Sequence, residues 1–116
     1  IGANGGGFAT EAKNHDVDIV SLDDFAVYGV PRGVPYVISD ADHLPFKDKT
    51  LDLVVARAVM PIIAKDNDKV KNVLEEVERV LKVGGEFRFG PVRTDREHPL
   101  LDFAWDKANP NIKMVL

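Results

Sequence analysis

The sequence predicts an α/β fold, a doubly wound and mainly parallel sheet with helices between its strands. Three observations predict it. Short apolar runs alternate with segments of helical pattern. A glycine-rich turn, Gly2-Ala3-Asn4-Gly5-Gly6-Gly7, opens directly into the first helical pattern. Acidic residues follow the next two predicted strands, at the sheet edge where open α/β folds bind ligands.

Taking the elements in order, FATEAKNHD (8–16) can form about two helical turns. VDIVSL (17–22) reads as a strand ending at Asp23-Asp24. The segment 25–34 is broken by Gly29, Pro31 and Gly33, which argues against a full crossover helix there. Tyr36–Ile38 is the second strand, and a loop runs from Asp40 to Lys49. Leu51–Ala56 is the third, apolar on both faces as a buried central strand would be.

The longest helix is the clearest element. Val70, Val73, Leu74, Val77, Val80 and Leu81 form one apolar stripe at helical spacing. Asp66, Asn67 or Asp68 can cap its start, Arg79 and Lys82 suit its negative end, and Gly84-Gly85 is expected to stop it. In the strand EFRFGPV (86–92), Phe87 and Phe89 face one way and Glu86 and Arg88 the other, so one face or edge is expected to lie open. Such an edge near 86–90 is a candidate contact for a homodimer. Thr94 to Glu97 has capping-box spacing before a last helix, PLLDFAWDKAN, which would bury Leu100, Leu101, Ala104 and Trp105 and end at Asn109-Pro110.

Composition narrows the function classes. The 116 residues make one domain, 1–116, and 45 % hydrophobic residues are enough for a packed core. No apolar run approaches about 20 residues, so no membrane span is expected. The net charge of −4, with no basic cluster, argues against a nucleic-acid partner. The absence of cysteine excludes disulfides, thiolate metal sites and a cysteine nucleophile, and fits the cytoplasm. His15, His43 and His98 have no metal-ligand spacing, so no metal site is predicted.

Three features could hold a nucleoside-like ligand. Glycines in the first turn let the backbone take positive φ and approach a ligand closely, and Asn4 tolerates the same geometry. A carboxylate at Asp23 can accept two hydrogen bonds from a ribose diol. At Asp40-Ala41 a carboxylate can accept from an exocyclic amine while a backbone N–H donates to a ring nitrogen. Each has a plainer alternative: a simple strand–helix connection, an N-cap at Asp23 or Asp24, and turn residues at Asp40 and Asp42.

In their order these segments resemble the class I S-adenosylmethionine-dependent methyltransferases, a family of Rossmann-like domains. IGANGGGF is similar to their Gly-x-Gly-x-Gly motif, with Asn4 where the middle glycine is commonest. VSLDD is similar to the strand-two motif whose acidic residue maps onto Asp23. SDADHLPFKDKTLDLVV resembles the adenine-contacting stretch and its following strand, and VLEEVERVLKVGGEFRF the later helix, glycine turn and strand. The resemblance covers about residues 1–92. It implies that S-adenosylmethionine is the cofactor, bound by Gly2, Ala3, Asn4, Gly6, Asp23, Asp40, Ala41 and Arg57. Arg57, with Ala56, would sit near the methionine end or the transferred methyl; an ion pair is its alternative role. No catalytic base is implied, although His98 stands in a loop after the 86–92 strand.

The chain departs from that family at both ends. The family's first strand would lie upstream of Ile1, its antiparallel closing strands are not found after the last helix, and 25–34 is short enough to suggest missing residues. The domain is therefore expected to be incomplete, with unpaired backbone where a central strand belongs. The expected function is methyl transfer to a small-molecule acceptor. The alternatives are a degenerate methyltransferase-like interaction module and an NAD-dependent oxidoreductase. The last is disfavoured because GANGGG does not place Gly-x-Gly-x-x-Gly in register for a pyrophosphate.

Overall fold

A computed structural model describes residues 1, 7–24, 33–57, 66–90 and 112–114. Helix α1 spans Gly7–Asn14. It ends in two nested hydrogen bonds, Asp16 N to Lys13 O at 3.0 Å and Val17 N to Ala12 O at 3.2 Å. This is the Schellman arrangement, whose left-handed position glycine usually fills. Here Asp16 fills it, with φ of 58°.

Strand β1 (Ser21–Asp23) pairs in parallel with β2 (Tyr36–Ile38), placing Ser21 beside Tyr36 and Asp23 beside Ile38. Hydrogen bonds from Ser21 N to Pro35 O and from Ser39 N to Asp23 O close the two ends of this ladder. The strand expected over 17–22 is thus confined to its last residues and extended by one. Its partner β2 is only three residues long, and Val17–Val20 have no strand partner among the described residues.

A second parallel sheet has the order β3-β4-β5: β3 is Leu51–Arg57, β4 Leu81–Gly90 and β5 Ile112–Met114. Helix α2, Asn67–Val80, connects β3 to β4. Of the three candidate caps Asp66 is used, its carboxylate accepting from Asp68 N at 3.0 Å and Lys69 N at 3.2 Å. The whole predicted stripe of α2 is buried, and it shares one core with Val54, Ala56, Phe87 and Phe89. The two phenylalanine rings lie 5.2 Å apart, centre to centre. Each fully buried side chain of this kind contributes about 1.5–3 kcal/mol.

Three expectations fail within this sheet. Helix α2 ends at Val80, ahead of Gly84-Gly85. Its last carbonyls are taken by the β3 approach, Lys49 N to Arg79 O and Thr50 N to Val80 O, both at 2.9 Å. Tertiary hydrogen bonds, not glycine, finish the helix. The glycines serve a bulge instead: Leu51 faces Leu81 but Leu53 faces Glu86. Within that bulge Gly84 takes φ of +83°, and a Cβ on Gly85 would stand 2.9 Å from Lys82 O.

Strand β3 is the second failure. It buries Val54 and Ala56, whereas Leu53 is 44 % exposed, so only one face is in the core. The third is β5, which pairs Phe87 with Ile112 and runs parallel to β4 where no strand was expected. The closing helix over 99–109 and most of the 25–34 segment lie outside the described residues.

Strands β1 and β3 belong to separate sheets among the described residues. Between them lies a cavity of about 760 Å³, walled by Val17–Leu22 on one side and Thr50–Val55 on the other. Exposed Val17, Val20 and Leu53 border it. The Ser21 hydroxyl in its wall is buried and has no hydrogen-bond partner among the described residues.

The loop from Ser39 to Lys49 is tied to α2. Glu76 accepts from Leu44 N at 2.8 Å, and Arg79 donates to Leu44 O at 2.9 Å and Phe46 O at 2.8 Å. Arg79 also reaches Asp48 at 2.8 Å and forks onto Glu76 at 2.7 and 2.8 Å. The guanidinium hydrogen bonds, together with the Leu44 amide, hold the Glu76 carboxyl below its ordinary value despite partial burial.

Two outcomes follow from these contacts. Replacing Asp16 with glycine relieves the left-handed strain and should raise stability by up to about 1 kcal/mol, read from urea denaturation. Glu76 adds stability above its unfolded-state pKa, and that stability is lost as pH falls through the lower folded-state value. Glu76→Gln should therefore melt lower than wild type at neutral pH, with the gap closing in acid when melting temperature is followed against pH.

Candidate functional site

The carboxyl ends of β1 and β2 carry the acidic residues. Asp23 closes β1 opposite Ile38, and Asp40 follows two residues beyond, about 7 Å further along the chain direction. Asp23 is half-buried and accepts from Asp24 N at 2.9 Å through its carboxylate. Asp40 is exposed, with Lys69 of α2 at 3.4 Å from its carboxylate. Ala41 beside it is buried in the core shared with α2. The turn through them is closed by His43 N donating to Asp40 O at 3.1 Å and Ser39 Oγ donating to His43 O at 2.7 Å.

These carboxylates share one electrostatic neighbourhood. The Asp24 carboxyl is pushed up by desolvation first, then by Asp23 through a hydrogen bond and through charge, with Asp40 adding to it. Desolvation and the charges of Asp23 and Asp24 push the Tyr36 phenol up as well. Ile1 N donates to Val55 O at 2.8 Å on β3, near enough to Asp23 to feel its charge.

Gly2, Ala3, Asn4 and Gly6 themselves lie outside the described residues. Arg57 ends β3 beside Gly90, and its backbone alone is described. His98 is also outside them. His15 stands 3.3 Å from Glu11 and His43 3.0 Å from Asp42, both on the surface. Among the described residues no group of three histidine or acidic side chains could hold a metal.

The arrangement supplies hydrogen-bond acceptors at two spacings from one strand pair. That donor set suits a neutral or cationic nucleoside bearing a diol and an amine; two carboxylates would repel a pyrophosphate. Sequence reasoning did not find Lys69, Glu76 and Arg79 as partners of the 40–48 loop. The available signal was their spacing: Lys69 and Glu76 are two helical turns apart and lie off the apolar stripe.

Comparison with known proteins shows the family. A family model described as "Methyltransferase domain" matches residues 1–89. The ubiquinone/menaquinone biosynthesis C-methyltransferase UbiE of Stenotrophomonas maltophilia (strain R551-3) is 38 % identical over 88 residues, covering 72 % of this chain and 33 % of that protein. The biotin biosynthesis bifunctional protein BioHC of Cellvibrio japonicus is 30 % identical over 91 residues, 73 % of this chain and 17 % of that protein. The chain thus spans a third or less of the length of these curated relatives. The crystal structure of the PH0226 protein from Pyrococcus horikoshii OT3 superposes with a TM-score of 0.63 at 24 % identity, covering 74 % of this chain and 44 % of that one, and shares its fold. The mainly parallel α/β sheet, its acidic strand ends and the matched family model converge: the chain belongs to the methyltransferase domain family.

Proposed function

We propose that this chain forms the cofactor-binding part of an S-adenosylmethionine-dependent methyltransferase acting on a small-molecule acceptor in the cytoplasm. What supports the reading is that Asp23 closes β1 and Asp40 stands two residues past its parallel partner β2, in a chain of this family. No helix among the described residues is long and apolar enough to cross a membrane. The net charge of −4 favours a small acceptor over nucleic acid.

In this reading Asp23 accepts from both ribose hydroxyls, and its charge is well matched to two donors. Asp40 accepts from the adenine amine, and the Ala41 N–H donates to the ring nitrogen beside it. Gly2, Ala3, Asn4 and Gly6 bring bare backbone against the methionine part, and Arg57 meets its carboxylate. S-adenosylmethionine, when bound, supplies a methyl group on a sulfonium centre, open to in-line displacement. The chain's own residues hold that centre in place and keep water from it, work that needs no strong acid or base. No catalytic base is assigned.

Calorimetric titration tests the reading. The chain should bind S-adenosylhomocysteine and not NAD. Asp23→Ala removes charge-assisted hydrogen bonds, each worth about 1.5–3 kcal/mol, and should weaken S-adenosylhomocysteine roughly 10- to 100-fold. Asp40→Ala should weaken it less, since Asp40 is exposed. Binding of neither ligand would replace this reading with the interaction-module alternative, and binding of NAD alone would indicate an oxidoreductase.

A further inference from the structure

The loop that carries Asp40 and Ala41 is held by side chains to which family membership gives no role. Leu44 is gripped at both of its backbone polar groups by one ion pair: its N–H donates to Glu76 at 2.8 Å and its carbonyl accepts from Arg79 at 2.9 Å. Only the 40–43 turn separates Leu44 from Asp40, and that turn is closed by His43 N on Asp40 O and Ser39 Oγ on His43 O. Ala41 and Leu44 are both buried against α2, so the loop has little room to rock. On the far side Arg79 fixes Phe46 O and Asp48. Nearly three turns earlier on α2, Lys69 holds the Asp40 carboxylate itself.

Arg79 is not part of the buried stripe; its side chain is 32 % exposed at the rim of the helix. Apart from its pairing with Glu76, every hydrogen bond from its guanidinium among the described residues goes to residues 44–48. The planar fork matters, because a lysine ammonium could not serve two carbonyls and two carboxylates at fixed angles. A hydrogen-bond site discriminates only while its acceptor stays within about half an ångström of the productive position.

We propose that the Glu76–Arg79 pair consists of positioning residues that set the selectivity of the Asp40-Ala41 loop for a 6-aminopurine over a 6-oxopurine. The inference rests on the proposed cofactor reading. A purine amine donates to Asp40, whereas a 6-oxo group presents an oxygen to a carboxylate and forces the neighbouring ring nitrogen to carry a proton toward the Ala41 N–H. Both hydrogen bonds are then lost. Sites of this type reject the mismatched analogue strongly while they are rigid. Freed from Arg79, the loop swings aside and neither purine is read.

The test is calorimetric titration of the chain with S-adenosylhomocysteine and with S-inosylhomocysteine, its 6-oxo analogue. Wild type should prefer the adenine compound by roughly tenfold or more, the lower bound set by losing the hydrogen bond to the Asp40 carboxylate alone. In Arg79→Met the preference should fall to within about threefold, chiefly through weaker S-adenosylhomocysteine binding, since that ligand alone gains from the fixed loop. Arg79→Lys and Glu76→Gln should give intermediate ratios, and they carry the test if Arg79→Met does not fold. An unchanged ratio in folded variants overturns the proposal, as does an equal loss of both ligands, which marks a purely structural clamp. Wild-type chain that binds neither compound overturns the cofactor reading and this inference together; wild-type binding with unaltered ratios in the variants overturns the clamp alone.

Discussion

Burial of the valine stripe of α2 against Phe87 and Phe89 is the contact on which the other features depend. It fixes the helix over β3 and β4, and so decides where the helix's exposed flank must lie. That flank carries Lys69, Glu76 and Arg79, each directed at the loop after β2. One apolar surface thereby determines the position of polar groups that never enter it. The energetic scale differs accordingly. Side chains in the stripe each supply kilocalories through removal from water, while the flank's ion pairs remain partly solvated and contribute mainly direction.

The acidic edge shows a second division of labour. Asp23 closes β1 and Asp40 stands two residues past its partner β2, so strand pairing brings the two near each other while contacts from α2 hold the Asp40 loop. Tyr36 and Ser39, at the two ends of β2, lie within that same ladder. Two carboxylates and a third at Asp24 would repel one another in a dry site. The edge tolerates them because Asp24 and Asp40 face solvent and Lys69 stands beside Asp40.

How much of this was readable from residues alone differs from element to element. Helix α2 was legible because six apolar positions repeat at one period, and its cap because an aspartate precedes it. Asp23 and Asp40 were legible because the ends of parallel strands are special places whatever the sequence between them. The end of α2 was not. Gly84-Gly85 gave a strong local stop signal, but carbonyls of Arg79 and Val80 are taken by Lys49 and Thr50, residues distant in the chain, and no local pattern encodes that. The turn after α1 hid for the opposite reason, since an aspartate does what glycine usually advertises. The Arg79 hub escaped because charged residues off an apolar stripe look alike in sequence, whether they touch water or a carbonyl. Strand β3 read as apolar on both faces, yet Leu53 borders the cavity between the sheets and stays partly exposed.

That cavity has a thermodynamic consequence. It opens to solvent, with Val17, Val20 and Leu53 exposed along its rim, so apolar surface of the kind that folding buries elsewhere stays wet here. Such surface gains little water on unfolding, and the heat-capacity increment of unfolding is accordingly smaller than for a chain of this length with a continuous sheet.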